Sequence, residues 1–179
     1  MKPKSFKQEN LTEKDWESLF QAFIPEGAFR EMVVTDLNES DWDLIFRIIL
    51  KQFNKIEVRS KGSKKIVELK SYAFEDFKMF FEILENEGEP TTYFFYKDKV
   101  RIYLSIYEID SAYLTLDPNE ITDKASILIV LNLMFELSSN LNRTVEIELS
   151  GYQHFNIFEF NSAGELIFHP DNMPCVEEQ

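Results

Sequence analysis

Histidine and cysteine, which carry out much of enzyme and metal chemistry, are few in this sequence. The two histidines, His154 and His169, form no H-x-x-x-H pair, and with Cys175 as the single cysteine no C-x-x-C spacing can hold zinc. A Cys–His catalytic pair would need an ordered C-terminal end. The five glycines make neither a G-x-G-x-x-G fingerprint nor a P-loop. The sequence therefore predicts a protein that is not an enzyme and carries no cofactor or metal.

Three acid-x-base triplets raise the question of a metal-dependent nuclease. They are Glu57-x-Arg59, Glu68-x-Lys70 and Asp76-x-Lys78, and the second falls on a predicted strand. Random mixing of the 32 acidic and 19 basic residues among 179 positions would give roughly three such triplets. Chance therefore accounts for them.

Three tyrosines fall on one face of a predicted hairpin. Tyr103 and Tyr107 alternate with aliphatic residues along 99–107, and Tyr113 does so along 111–116. Because side chains alternate between the two faces of a strand, the three rings should share the face opposite the aliphatic residues. Such a face, apolar in its rings and polar at its hydroxyl groups, is typical of binding surfaces. The alternative is that a helix covers it and the hydroxyl groups reach water or backbone groups at its edge.

Three glutamates show a similar pattern near the C-terminus. Glu146 and Glu148 alternate with aliphatic residues along 144–150, and Glu159 lies on the next predicted strand, 155–161. If those strands pair, the carboxylates share one face, where like charges directly opposite each other cost about 0.2–1 kcal/mol. This arrangement favours docking of a basic partner or binding of a hard cation such as Ca²⁺. The alternative is a solvated face on which the carboxylates splay apart.

Periodicity and cap signals predict an α+β fold with about four helices. Thr12 begins the first helix, Asn38 or Ser40 begins the second, and a third spans about 74–86. The fourth, at 122–139, follows the cap signature Asp117-Pro-Asn-Glu and is apolar nearly all round, which predicts burial. Strands are predicted at 28–35, 56–60, 65–70, 92–97, 99–107, 111–116, 144–150, 155–161 and 165–169. We therefore expect a single domain, 1–179, with a mostly antiparallel sheet and flexible ends at 1–10 and 171–179.

Two segments of the chain repeat the same order of elements. Segments 35–62 and 116–151 both read strand, capped helix, strand, Gly turn and strand, and both contain an Asn-Glu pair. Two interpretations stay open: an internal duplication of a β-α-β-β unit, or the chance recurrence of this order in an α+β chain.

Composition and charge indicate a folded, acidic protein. A chain of 179 residues that is 44% hydrophobic and 15% aromatic can form one well-packed domain. A single cysteine fits a reducing compartment, and neither a signal-peptide pattern nor an apolar run long enough to span a membrane is present. We therefore expect a cytoplasmic protein without membrane contact.

The charge is concentrated in the C-terminal half and indicates the kind of partner. Of the net charge of −13, residues 102–179 carry −11, because this segment contains 13 acidic residues and only two basic ones, Lys124 and Arg143. This balance disfavours nucleic acid, which binds Lys and Arg, and favours a basic protein partner. The composition is reminiscent of bacterial immunity and inhibitor proteins, an analogy that does not establish function.

The sequence accordingly predicts a non-catalytic protein-binding module, of the inhibitor or immunity type. Its acidic C-terminal half is expected to recognise a basic partner. Its expected partner-binding residues are Tyr103, Tyr107, Tyr113, Glu146, Glu148 and Glu159. The alternative is a small-ligand-binding domain with an aromatic pocket between sheet and helices, lined by Tyr103, Tyr107 and phenylalanines. The oligomeric state is not predicted.

Overall fold

A computed structural model of the chain shows one antiparallel sheet with helices packed on one of its faces. It describes residues 11–59, 92–151 and 155–174 and the backbone of 66–68. The strands within this part of the chain are β1 (Arg30–Val34), β2 (Lys55–Arg59), β3 (Ile66–Glu68), β4 (Thr92–Lys97), β5 (Val100–Ser105), β6 (Ala112–Leu116), β7 (Val145–Leu149), β8 (Asn156–Phe160) and β9 (Leu166–Phe168). They pair antiparallel in the order β3-β2-β4-β5-β6-β1-β7-β8-β9. The predicted α+β class and antiparallel sheet are confirmed.

The described residues include three α-helices: α1 (Glu13–Ala22), α2 (Glu39–Gln52) and α3 (Lys124–Leu141). Thr12 and Asn38 are the N-caps of α1 and α2, and each forms a capping box with an aspartate three residues later. The helix predicted at about 74–86 lies outside the described residues, so the predicted number of about four helices is not confirmed.

The start of α3 differs from the sequence prediction. Asp117 caps a separate 3-10 turn, Pro118–Glu120, and does not lead directly into the helix. The buried Ile121 then interrupts the helical backbone, with φ −116° and ψ 69°. Asp123 becomes the N-cap of α3, because its carboxylate accepts a hydrogen bond from the amide of Ser126 at 2.8 Å.

The three helices pack on the aliphatic face of the sheet, which we call the helix face. Aromatic edge contacts join the helical region to this face at Phe46–Tyr93, Phe135–Phe160 and Phe23–Phe158, with ring centroids 5.2, 5.8 and 6.0 Å apart. Among the described helices, α3 has the length and mean hydropathy, 1.2, of a membrane span, but 61% of it is buried in the fold. Such burial is expected of the central helix of a soluble protein.

The two segments that repeat the same order of elements connect differently across the sheet. The connection through α2 joins β1 to β2, which are separated by β6, β5 and β4. The connection through α3 joins β6 to β7, which are separated by β1 alone. The internal duplication is therefore not confirmed and stays a prediction.

The C-terminal residues 170–174 lie against the fold. A 3-10 turn spans Pro170–Asn172, and Pro174 is buried. The side-chain amide of Gln21 donates a hydrogen bond to the carbonyl of Pro174 at 3.1 Å, which connects this segment to α1.

Candidate functional site

The sheet face opposite the three helices, which we call the outer face, carries the predicted binding residues. Strand register aligns its side chains in two rows that run across the sheet. The first row, from β5 to β8, is Ser105, Tyr113, Val33, Glu146 and Glu159. The second row, from β5 to β7, is Tyr103, Thr115, Glu31 and Glu148. Five of the six predicted residues therefore share one face, whereas alternation predicted only a common face within the tyrosines and, separately, within the glutamates. The sixth, Tyr107, follows β5 and is 66% exposed.

Strand β1 lies between the tyrosine strands and the glutamate strands and adds an acidic residue that sequence reasoning missed. Glu31 lies directly opposite Glu148, and Glu146 lies directly opposite Glu159. The outer face of β1, β7 and β8 thus contains two opposed glutamate pairs, and no Lys or Arg of these three strands faces outward, since Arg30 points to the helix face. No local signal could have placed Glu31 here, because the neighbourhood β6-β1-β7 joins segments far apart in the chain.

An open groove of about 1130 Å³ runs over this part of the outer face. We call it the tyrosine groove; its lining includes Glu31, Val33, Tyr107, Glu108, Tyr113 and Glu148. None of the described residues that line it is Lys or Arg. A smaller hollow of about 380 Å³ adjoins it and shares Val33, Thr35 and Glu146 with it. Four of the six predicted residues, Tyr107, Tyr113, Glu146 and Glu148, therefore line one acidic groove, and Arg143 lines the adjoining hollow.

Hydrogen bonds hold Glu31 and Glu159 of the outer face in place. The hydroxyl group of Ser150 donates to Glu31 at 3.0 Å. The side-chain amide of Asn156 donates to Glu159 at 2.5 Å, and Nε2 of His169 lies 3.3 Å from the same carboxylate oxygen. Across the described parts of the chain, no three acidic, histidine or cysteine side chains are grouped so as to hold a metal ion. The Ca²⁺ alternative therefore has no support from these residues.

Tyr103 stands apart from the groove because it already contacts an arginine. The guanidinium of Arg101 lies 4.7 Å from the Tyr103 ring centroid, and its NH2 group is 3.0 Å from a carboxylate oxygen of Glu120. The backbone amide of Arg101 donates to the other oxygen of Glu120 at 2.9 Å. Burial raises the pKa of both the Tyr103 hydroxyl and the Glu120 carboxyl, and the nearby Arg101 opposes both shifts. Tyr103 thus has an internal cation, whereas Tyr107 and Tyr113 line the groove.

The alternative of a helix covering the tyrosine face gains no support from α1, α2 or α3, which all pack on the helix face. No protein-family model matches the chain, and no curated protein or solved structure matches it at a significant level.

Proposed function

We propose that the protein is a non-catalytic protein-binding module that docks a basic partner on its outer face. The observation that supports this most strongly is the two pairs of directly opposed glutamates, Glu31–Glu148 and Glu146–Glu159, of which all but Glu159 line the tyrosine groove. Negative charge on this face would steer a basic protein toward it, since complementary potentials raise association rates. Action as an inhibitor or immunity-type protein in the cytoplasm is the form of this function that the acidic composition favours.

The energetics of the sheet favour a binding role for these residues. Like charges directly opposite each other destabilise a sheet by about 0.2–1 kcal/mol per pair. A positive partner surface would reverse the sign of this interaction on binding. The exposed ring of Tyr107 beside the carboxylates adds the amphipathic contact area that interfaces are enriched in.

A small-ligand-binding domain is the second candidate, and the groove volume is the observation that bears on it. Pockets for small molecules typically measure about 300–1,000 Å³ and enclose the ligand. The tyrosine groove, at about 1130 Å³, is larger and open. Tyr103 lies on the outer face and Tyr107 lines this groove, so neither points between sheet and helices. These features favour a protein segment as the occupant.

The proposal can be tested by capture followed by kinetics. The purified chain is used to capture partners from lysate of its native organism, with elution in rising salt, and the partner's association rate is then measured at several salt concentrations. Glu146→Gln/Glu148→Gln should lower the association rate by roughly three- to tenfold at low salt and reduce its salt dependence.

The control removes the same charge elsewhere. Glu13→Gln/Glu17→Gln changes two exposed residues of α1, which packs on the helix face. This variant should associate at nearly the wild-type rate. If both double variants behave alike, or if the first leaves association unchanged, the outer face is not the docking surface.

A further inference from the structure

The outer face itself shows how it accommodates a guanidinium group. Arg101 stacks on the ring of Tyr103, 4.7 Å from the centroid, while its guanidinium pairs with Glu120 at 3.0 Å. The ring face contacts the flat delocalised surface of this cation, and the carboxylate pairs with one nitrogen of its donor fork.

The tyrosine groove contains the same two components on the same face of the sheet. The rings of Tyr107 and Tyr113 and the carboxylates of Glu31 and Glu108 line it. Whereas Tyr103 has Arg101 as a neighbour within the chain, the groove has no Lys or Arg among its described lining residues. The described lining thus offers a ring face and a carboxylate to a further guanidinium group.

We propose that the tyrosine groove binds arginine side chains of an extended segment of the partner protein. This inference rests on the proposed function and specifies the chemistry of the partner. Arginine fits better than lysine, because a guanidinium is planar, less strongly hydrated than an ammonium group, and able to stack on a tyrosine while donating to a carboxylate. An extended segment presents alternate side chains about 6.7 Å apart, the spacing of alternate residues along the groove's own strands.

The test compares three synthetic peptides of equal length, in which glycine alternates with arginine, lysine or glutamine. Binding to the full chain is measured by isothermal titration calorimetry at low and at physiological salt. The arginine peptide should bind about five- to tenfold more tightly than the lysine peptide, as expected for one or two cation–π contacts. The glutamine peptide should not bind.

Variants of the groove separate the ring contribution from the charge contribution. Tyr107→Leu/Tyr113→Leu should abolish the preference for arginine while leaving the salt dependence intact. Tyr107→Phe/Tyr113→Phe keeps the ring faces and should keep the preference. Glu31→Gln should lower the affinities for the arginine peptide and the lysine peptide to a similar degree.

Each outcome distinguishes this inference from the proposed function. Equal affinity for the arginine and lysine peptides, with strong salt dependence, overturns arginine recognition and leaves an acidic docking face. If the Tyr107→Leu/Tyr113→Leu variant still prefers the arginine peptide, the rings of the tyrosine groove are not the origin of that preference, and arginine recognition by the groove is overturned. If neither cationic peptide binds, or if the glutamine peptide binds equally well, both the arginine inference and the proposed acidic docking face are overturned.

Discussion

Replacement of Arg30 by methionine should destabilise the protein strongly, although Arg30 is outside the proposed binding surface. Its side chain is 0% exposed and points from β1 into the helix face. The guanidinium donates hydrogen bonds to the carbonyls of Ala22, Ile24 and Ala28 at 2.6, 2.9 and 2.9 Å. It thereby supplies a cation at the C-terminal end of α1, a helix with no basic residue in its last turn.

The magnitude follows from those three hydrogen bonds. Each contributes about 1–1.5 kcal/mol net, and loss of the donor leaves one buried and two partly buried carbonyl groups without this partner. Burial lowers the pKa of Arg30, with Glu26 opposing this shift, and an arginine nonetheless stays charged at neutral pH. Methionine retains most of the apolar stem and avoids burial of a charge, which offsets part of the loss. We expect a net loss of about 3 kcal/mol in the free energy of unfolding and, for a chain of this size, a fall in Tm of about 6–12 °C.

Urea unfolding followed by tryptophan fluorescence is a suitable assay, because Trp16 and Trp42 are both buried and will report loss of the core. The matched control is Arg47→Met. The side chain of Arg47 is 73% exposed and pairs with Asp43 at 2.7 Å, so its loss should change stability by less than about 0.5 kcal/mol. If Arg30→Met is as stable as Arg47→Met, the hydrogen bonds of Arg30 only balance the free energy of burying its charge, and the reasoning is refuted.

Two further predictions concern the cap of α3 and a glycine. Lys99, together with the amide and hydroxyl group of Ser126, holds the pKa of Asp123 down to about 2, so its carboxylate stabilises the fold above pH 4 and loses this effect as pH falls toward 2. Asp123→Ala should therefore lower Tm at pH 6, and the gap to wild type should narrow by pH 2 in calorimetric melts; a constant gap would contradict it. Gly164→Ala should destabilise more than Gly27→Ala in urea titrations, by about 1–3 kcal/mol, because both have positive φ but only a Cβ at Gly164 would meet Phe135, at 2.8 Å. Equal losses would show that Phe135 moves aside freely.

Local signals were sufficient to predict most elements of the fold. Thr12 and Asn38 are identified as caps by their own side chains and by an aspartate three residues later. Alternation in β5, β6 and β7 assigns each side chain to a face without knowledge of the strand order. For this reason the sequence alone assigns Tyr103, Tyr113 and Glu146 to the faces of their strands opposite the aliphatic residues, as the register shows.

Features that depend on contacts between distant segments were not predicted. Asp117 carries a full cap signature, yet the burial of Ile121 ends its turn after three residues and transfers the N-cap of α3 to Asp123. Arg30 alternates in step with Met32 and Val34, so it falls on the helix face, but the carbonyl groups of the α1 end that accept its hydrogen bonds follow only from the tertiary structure. Glu31 joins the candidate site only because β1 inserts between β6 and β7.

The buried helix face contributes far more to stability than the repulsion between the outer-face glutamates costs. Burial of a single large apolar side chain such as Phe158, fully buried on the helix face, contributes about 1.5–3 kcal/mol. The opposed pairs Glu31–Glu148 and Glu146–Glu159 together cost at most about 2 kcal/mol. One buried aromatic ring therefore offsets the whole repulsion. Neutralising these glutamates should leave the protein folded or slightly more stable, so any loss of partner binding in such variants would be a property of the surface and not of the fold.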